Sequence, residues 1–239
     1  MSDPTPPAAK LQPASTRSLY AYCLPFALFM LGLAAVSVVK MLAPDSDTFL
    51  LANPAYWVYP LQSLLCAGAL IYFWRDYDFG SQKSLPFAIG VGIIVLFVWI
   101  SPEAFFGFED RLEGFDPTVF DESAGLYWGT VLARFFRLVI IVPLIEEIFW
   151  RGFLQRYLIK ENFTDVPFGQ YTHLSFWGVV VAFTLVHQPA DYLGAAITGA
   201  LFGWIAIRTK SLLCCVVAHA VTNLILGFYI MWTQQWGYW

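Results

Sequence analysis

Three pairs of residues, each four positions apart, place polar chemistry within apolar stretches of the second half of the chain. Residues with this spacing share one face of an α-helix. A carboxylate in hydrocarbon costs several kcal/mol unless it is paired or solvated. Glutamate can take a proton from water, histidine can orient that water or protonate a leaving amine, and asparagine can donate to an oxyanion. The pairs are Glu147 with Arg151, Phe183 with His187 and His219 with Asn223, and Glu146 precedes the first.

The first pair separates the roles of the two adjacent glutamates. Successive helix residues differ in direction by about 100°, so Glu146 and Glu147 cannot face the same neighbour. Glu147 shares a face with Arg151, and the spacing predicts an ion pair that leaves Glu146 free. Pro143, one turn earlier, is expected to free the carbonyl of Val139 and to bend the helix just before the acids.

Membrane spans are the elements that must position these residues. Of the 239 residues, 59% are hydrophobic, 18% aromatic and only 13% charged, whereas a soluble domain has about 45–50% apolar and about 25% charged residues. The composition therefore predicts a multi-pass protein of the lipid bilayer. No basic run suggests a nucleic-acid partner. The four cysteines lie in apolar stretches, which is typical of small buried side chains rather than of disulfides or a metal cluster.

The apolar runs predict an all-α fold, a polytopic transmembrane helix bundle of about seven spans (seven to eight). A proline-rich tail at 1–18 is expected to be disordered. Transmembrane helices and an acidic loop fill 19–125, and the bundle that carries the candidate site fills 126–239, all in one membrane domain. The spans are expected at about 19–42, 56–74, 85–100, 126–158, 174–186, 192–207 and 212–232.

The fourth span has an ambiguous start, because Arg134 and Arg137 interrupt the apolar run that begins at Leu126. Either an interfacial helix leads into the span, or the two arginines line a polar cavity. The sequence leaves both arrangements open.

Basic residues occur in alternate connecting segments, and the positive-inside rule then places the N-terminus in the cytoplasm. The loop at 102–125 has seven acidic residues against Arg111 alone and is predicted on the outer face. It is either a solvated, partly interfacial loop or a lid or substrate-docking element.

The three motifs, in this order, resemble those of the CAAX prenyl endopeptidase and bacteriocin-processing family of intramembrane proteases, also called CPBP or Abi. That pattern is Glu-Glu-x-x-x-Arg, then Phe-x-x-x-His, then His-x-x-x-Asn, each on its own membrane helix. The resemblance covers about residues 126–229, and the chain is also similar to the exosortase-associated CAAX-protease-related branch. It implies an endopeptidase of the bacterial inner (plasma) membrane that acts on a membrane-associated protein or peptide.

The resemblance also implies roles for individual residues. In the family the first glutamate and the first histidine activate a water, while the second histidine and the asparagine hold the oxyanion. Carried over, the catalytic residues are Glu146, His187, His219 and Asn223, supported by Glu147, Arg151 and Phe183.

Two versions of this chemistry differ in their need for a metal. Zinc would find two histidines and one carboxylate in Glu146, His187 and His219, with one open position. Against this, the chain has no close histidine pair of the HExxH type, and Asn223 suits an oxyanion donor better than a zinc ligand. A metal-free mechanism without a cofactor is favoured, and the zinc-dependent version stays open.

Non-enzymatic functions are a further alternative. Buried acids, arginines and histidines also mark proton relays and transporters, and a scaffold or immunity protein could keep an inactive site. A transporter often shows internal symmetry, and none is visible in this sequence. Cleavage of co-expressed small membrane proteins by wild type but not by Glu146→Ala would separate a protease from both alternatives.

Overall fold

A computed structural model describes residues 15–239, which form an all-helical bundle. Within that range the chain folds into eight helices, joined in several places by short 3₁₀ turns. The helices are α1 (Thr16–Leu42), α2 (Phe49–Ala52), α3 (Ala55–Tyr72), α4 (Leu85–Phe106), α5 (Ala124–Tyr157), α6 (His173–Leu185), α7 (Tyr192–Thr209) and α8 (Leu212–Thr233).

The predicted fold class is confirmed, because a helix lies at each of the seven expected spans and the described residues contain no strand. Five helices are long and apolar enough to cross a membrane, namely α1, α4, α5, α8 and α7 with its preceding turn. Helix α6 is apolar but shorter, with 13 residues. About seven spans are consistent with this set. The predicted tail at 1–18 lies mostly outside the described residues, and its last three residues already belong to α1.

Helix α5 resolves the ambiguity at the fourth span. It runs without a break through Arg134 and Arg137, both of which are buried and line a cavity. The helix contains two π-helical turns, at Arg137–Ile141 and at Ile148–Leu154, on either side of the two adjacent glutamates. Such turns often occur at functional sites.

A tight connection between α7 and α8 sets the position of the last helix. Lys210 ends α7 with a positive φ of 54°. Ser211 then caps α8 by accepting a hydrogen bond from the N–H of Cys214 at 3.3 Å, while its own hydroxyl donates to the carbonyl of Ser81 at 2.8 Å. The first bond satisfies an N–H that a helix start leaves free, and the second joins the connection to the segment before α4. Further along, α8 packs so closely on α4 that a Cβ at Gly92 would collide with the carbonyl of Ala218.

The polar connections gather at two ends of the bundle. At one end Arg17 pairs with Asp76 at 2.8 Å. At the other, here called the acidic end, Arg111 of the 102–125 loop pairs with Asp191, which follows α6. This grouping agrees with the alternation of segments predicted from the basic residues, whereas the orientation in the membrane stays a prediction. All four cysteines are free, as expected.

Candidate active site

Helix α5 contributes a fully buried ion pair. Glu147 has no exposed surface, and its Oε1 accepts a hydrogen bond from Nη1 of Arg151 at 3.1 Å. Nη2 of Arg151 donates to the carbonyl of Gly199 on α7 at 3.2 Å. The predicted pairing of Glu147 with Arg151 is therefore confirmed, and the pair joins α5 to α7 as well as one turn of α5 to the next.

His219 of α8 contacts the same carboxylate. Its Nδ1 lies 3.0 Å from Oε1 of Glu147, and its ring packs 5.3 Å from the ring of Phe202. With an ionised Glu147 the Nδ1 atom must be the donor, because a carboxylate can only accept. The contact therefore holds the imidazole in one orientation and leaves Nε2 for another partner.

His187 follows the last turn of α6 and is held in a similar way. Its Nδ1 donates to the carbonyl of Phe183 at 2.7 Å, and the two rings lie 4.6 Å apart. The ring of Trp99 lies 5.8 Å away on α4. A neutral imidazole that donates from Nδ1 keeps an acceptor at Nε2. Phe183 thus positions His187 through both its backbone and its ring.

Asn223 is fixed by a backbone carbonyl of α5. Its Nδ2 donates to the carbonyl of Leu138 at 2.9 Å. That carbonyl has no partner of its own helix, because the N–H of Val142 donates to Arg137, five residues back, and Pro143 has no N–H. The sequence predicted a freed carbonyl at Val139, whereas the π-helical turn makes Leu138 the carbonyl that the site uses.

The four residues predicted as catalytic line a single cavity of about 270 Å³. Glu146 borders this cavity and is partly exposed, whereas Glu147 is completely buried behind it. The cavity is formed by the helices that carry the three motifs, together with α4, α7 and residues of the acidic end. The four residues are Glu146, His187, His219 and Asn223.

Residues near the acidic end complete the cavity and were not predicted from the motifs. Trp99 on α4 donates from its indole to the hydroxyl of Thr198 on α7 at 2.9 Å, and both line the cavity. Arg111 and Tyr238 also line it. The available signal for Arg111 was its position as the single basic residue of the acidic loop, whereas nothing in the sequence marked Tyr238.

Arg111 holds the acidic loop beside the cavity through contacts with three other residues. Its Nε donates to Glu103 at 2.6 Å, its other arm contacts Asp191, and its guanidinium lies 4.5 Å from the ring centre of Tyr238. The Tyr238 hydroxyl donates to Glu103. Burial raises the pKa of the Tyr238 phenol, and the Glu103 carboxylate adds to this increase. The loop is therefore anchored to α4, to the segment after α6 and to the residues after α8.

A larger cavity of about 750 Å³ adjoins the first at the acidic end. The two share Trp99, Arg111, Gln188 and Asp191 among their lining residues. The Arg111–Asp191 pair consequently lies at the junction between the candidate site and the larger space.

The zinc alternative can be compared with this geometry. Between residues 15 and 239, no three His, Cys, Asp or Glu side chains lie close enough together to hold one metal ion. The cavity places Glu146, His187 and His219 around a common space, but Nδ1 of His219 is engaged with Glu147. That contact leaves Nε2 of His219 free, so the metal-free version stays a prediction.

Residues 128–225 match the family model of the Rce1-like proteins, described as type II CAAX prenyl endopeptidase Rce1-like. No curated protein and no solved structure matches the chain. The matched segment contains all three motifs, so the resemblance to CAAX endopeptidases is confirmed there. The family match together with the apolar helices supports a CAAX-type intramembrane protease in a multi-pass membrane protein.

Proposed function

We propose that this chain, whose residues 128–225 are Rce1-like, is an intramembrane endopeptidase that hydrolyses a peptide bond with a water activated by Glu146 and His187. The observation that carries the proposal is the shared cavity, which brings a carboxylate, two imidazoles and a carboxamide from three helices around one space. A general base, a proton donor and oxyanion donors within hydrogen-bond range are what this reaction needs.

Glu146 is the general base of the proposed mechanism. It borders the cavity, while its neighbour Glu147 is occupied by Arg151 and His219. Glu146 takes a proton from water as the water oxygen bonds to the substrate carbonyl carbon. His187 steadies the water through Nε2, or accepts at Nε2 the proton that Glu146 took and passes it to the amine as the carbon–nitrogen bond breaks. The products are one new carboxyl terminus and one new amine.

Asn223 and His219 stabilise the oxyanion that forms on the substrate carbonyl. One N–H of the Asn223 amide is held by Leu138, and the amide group has a second N–H for the oxyanion. His219 donates through Nε2 when that nitrogen carries a proton, and the Glu147 carboxylate at Nδ1 stabilises the doubly protonated ring. Each donor of this kind contributes about 3–4 kcal/mol.

The metal-free version of the mechanism is supported by the spacing of the candidate ligands, since no three His, Cys, Asp or Glu side chains between residues 15 and 239 lie close enough together to hold one metal ion. Activity should therefore survive strong zinc chelators. Loss of activity on chelation that stoichiometric zinc restores would instead make Glu146, His187 and His219 metal ligands.

The substrate is proposed to be a membrane-associated protein or peptide that enters from the acidic end, where the 750 Å³ cavity adjoins the site. The loop at 102–125 serves there as a lid or docking element, and 19–125 supports the catalytic bundle at 126–239. With the N-terminus in the cytoplasm of a bacterial cell, this end faces the outer side of the inner membrane.

The test compares purified wild type with Glu146→Gln on detergent-solubilised membrane proteins of the expression host, with new termini identified by mass spectrometry. We expect wild type to release new termini and Glu146→Gln to lose about 10²–10⁴-fold of this activity. Glu161→Gln makes the same change at an exposed position and should retain activity. Equal products from wild type and a folded Glu146→Gln would overturn the role of Glu146, and no new termini from either protein would favour a scaffold.

A further inference from the structure

A third cavity, of about 260 Å³, lies between α3 and α5 and shares no lining residue with the candidate active site. It extends along more than three turns of α5, from the acidic end into the bundle. Most of the α5 side chains along its wall are small, those on the side of α3 are mainly aromatic, and two arginines lie at its inner end. The lining residues on α5 are Gly125, Leu126, Gly129, Thr130, Ala133, Arg134 and Arg137, which face Tyr56, Tyr59, Pro60 and Phe115.

Arg134 is buried in this cavity without an acceptor for two of its donors. Only 5% of its surface is exposed, and its Nε and Nη1 have no hydrogen-bond partner. Its guanidinium contacts aromatic faces instead, at 5.2 Å from Tyr59, 4.8 Å from Phe115 and 5.9 Å from Trp239. Aromatic faces attract a cation, but they cannot accept its N–H groups as an anion does.

Arg137 adds a second buried cation one turn further along. Its Nε donates to the neutral amide of Gln62 at 3.1 Å, and its guanidinium lies 4.3 Å from the ring centre of Tyr59. Neither Arg134 nor Arg137 forms an ion pair with any acid in the described part of the chain. Glu146 is near enough to Arg137 to attract its charge without forming an ion pair, whereas no acid acts on Arg134. A buried charge without a paired counter-charge is strongly unfavourable, so the site favours an anion.

The cavity opens to the surface that lipid would cover. A Cβ added at Gly125 or Gly129 would meet nothing within 4 Å, so α5 leaves a gap there. Leu126 lines the cavity and is 58% exposed, and Leu132 and Leu64 on the same two helices are also exposed. An anion that carries apolar chains fits this combination of a basic interior and an apolar rim.

We propose that this cavity binds the phosphate group of an anionic phospholipid. The phosphate oxygens accept hydrogen bonds from the free Nε and Nη1 atoms of Arg134, since a guanidinium can donate two parallel hydrogen bonds to one phosphate. Arg137 supplies a second positive charge. The glycerol and acyl chains leave through the gap at Gly129 and lie along the exposed leucines of α3 and α5. The lipid thereby balances charge that the protein leaves unbalanced.

The test measures lipid binding to the full chain in detergent, by native mass spectrometry and by thermal unfolding, with added phosphatidylglycerol. We expect one retained phosphatidylglycerol and a rise of several degrees in unfolding temperature for wild type. Arg134→Met should weaken this binding roughly ten- to a hundred-fold, the size expected for lost hydrogen bonds of a charged group. Gly129→Leu fills the gap without removing charge and should abolish retention.

Controls separate specific binding from general attraction to charge. Arg75→Met removes the same charge at an exposed position outside the cavity and should bind lipid as wild type does. Inorganic phosphate alone should not raise the unfolding temperature. Equal stabilisation by inorganic phosphate would mean that the site takes a free anion, which would overturn the lipid assignment. Unchanged lipid retention in a folded Gly129→Leu would overturn the site itself.

Discussion

Helix α5 carries two clusters of buried charge that differ in how the charge is balanced. Near its C-terminal end Arg151 is opposed by Glu147, which also contacts His219, so the protein supplies both signs. Nearer its start, Arg134 and Arg137 are buried among aromatic rings and a neutral amide, and neither forms an ion pair with an acid of the described residues. The first cluster is complete within the chain, whereas the second requires a charge from outside.

The difference explains why the two clusters should respond in opposite ways to substitution. Removing one partner of a buried pair leaves its counterpart uncompensated. Removing a buried charge that has no partner takes away an unfavourable group. Burial is similar at both clusters, so the presence of an internal counter-charge decides the sign of the effect.

The largest expected effect on stability is that of Glu147→Gln. This change leaves Arg151 buried without a counter-charge, which costs roughly 3–5 kcal/mol of unfolding free energy. Glu146→Gln, at the adjacent and partly exposed position, should unfold close to wild type. Thermal unfolding in detergent measures both. Equal loss of folded protein in the two variants would break the division of roles between the glutamates.

A double variant tests whether unbalanced charge causes the loss of stability in Glu147→Gln. Glu147→Gln combined with Arg151→Met removes both charges, and the double variant should recover part of the stability that Glu147→Gln loses. If the double variant is no more stable than Glu147→Gln, unbalanced charge is not the cause of the loss.

Asn223→Ala should lower turnover by about 10²–10³-fold with little change in KM, because an oxyanion donor acts mainly in the transition state. The same change leaves the Leu138 carbonyl without its partner, which costs about 1–3 kcal/mol of stability. Leu224→Ala, at the next and exposed position, serves as the control. Steady-state kinetics on an identified substrate measure the effect, and a change confined to KM would contradict the oxyanion role.

Arg134→Met should have the opposite sign to Glu147→Gln when lipid is absent. In lipid-free detergent it removes an unbalanced buried charge and keeps an apolar side chain of similar length. We expect the unfolding temperature to rise by a few degrees, which corresponds to about 1 kcal/mol for a chain of this size. A fall as large as that of Glu147→Gln would show that the protein balances this cluster by itself.

The smallest effect is expected at the exposed pair of Lys160 and Asp165, whose side chains are 38% and 45% exposed. Such pairs contribute little, because water solvates both groups in either state. Lys160→Ala should not shift the unfolding temperature measurably in the same assay. A shift comparable to that of Glu147→Gln would imply that ion pairing, rather than burial, sets the size of these effects.

Much of the candidate site could be predicted because its chemistry is local in sequence. The spacing of four residues in a helix is enough to pair Glu147 with Arg151 and to place Phe183 beside His187. Apolar runs of span length likewise gave the seven helices. The contact of His219 with Glu147 joins two such motifs, and only the packing of α8 against α5 brings them together.

The rest could not be predicted because it depends on distant or irregular structure. Arg111 reaches Glu103 and Asp191 from a loop without periodicity. The choice of Leu138 over Val139 depends on where the helix adopts a π-helical turn, which a single proline does not determine. The two arginines were recognised as unusual, but the aromatic residues around them come from four separate segments.

The hydrogen bond between Asn223 and the carbonyl of Leu138 joins residues 85 positions apart. It can form only after α8 has been synthesised and has entered the bundle, long after α5. Until then the cavity lacks both Asn223 and His219, the two residues proposed to bind the oxyanion. A chain whose α8 has not yet packed against α5 therefore has an incomplete candidate site, even though Glu146 and His187 are already in place.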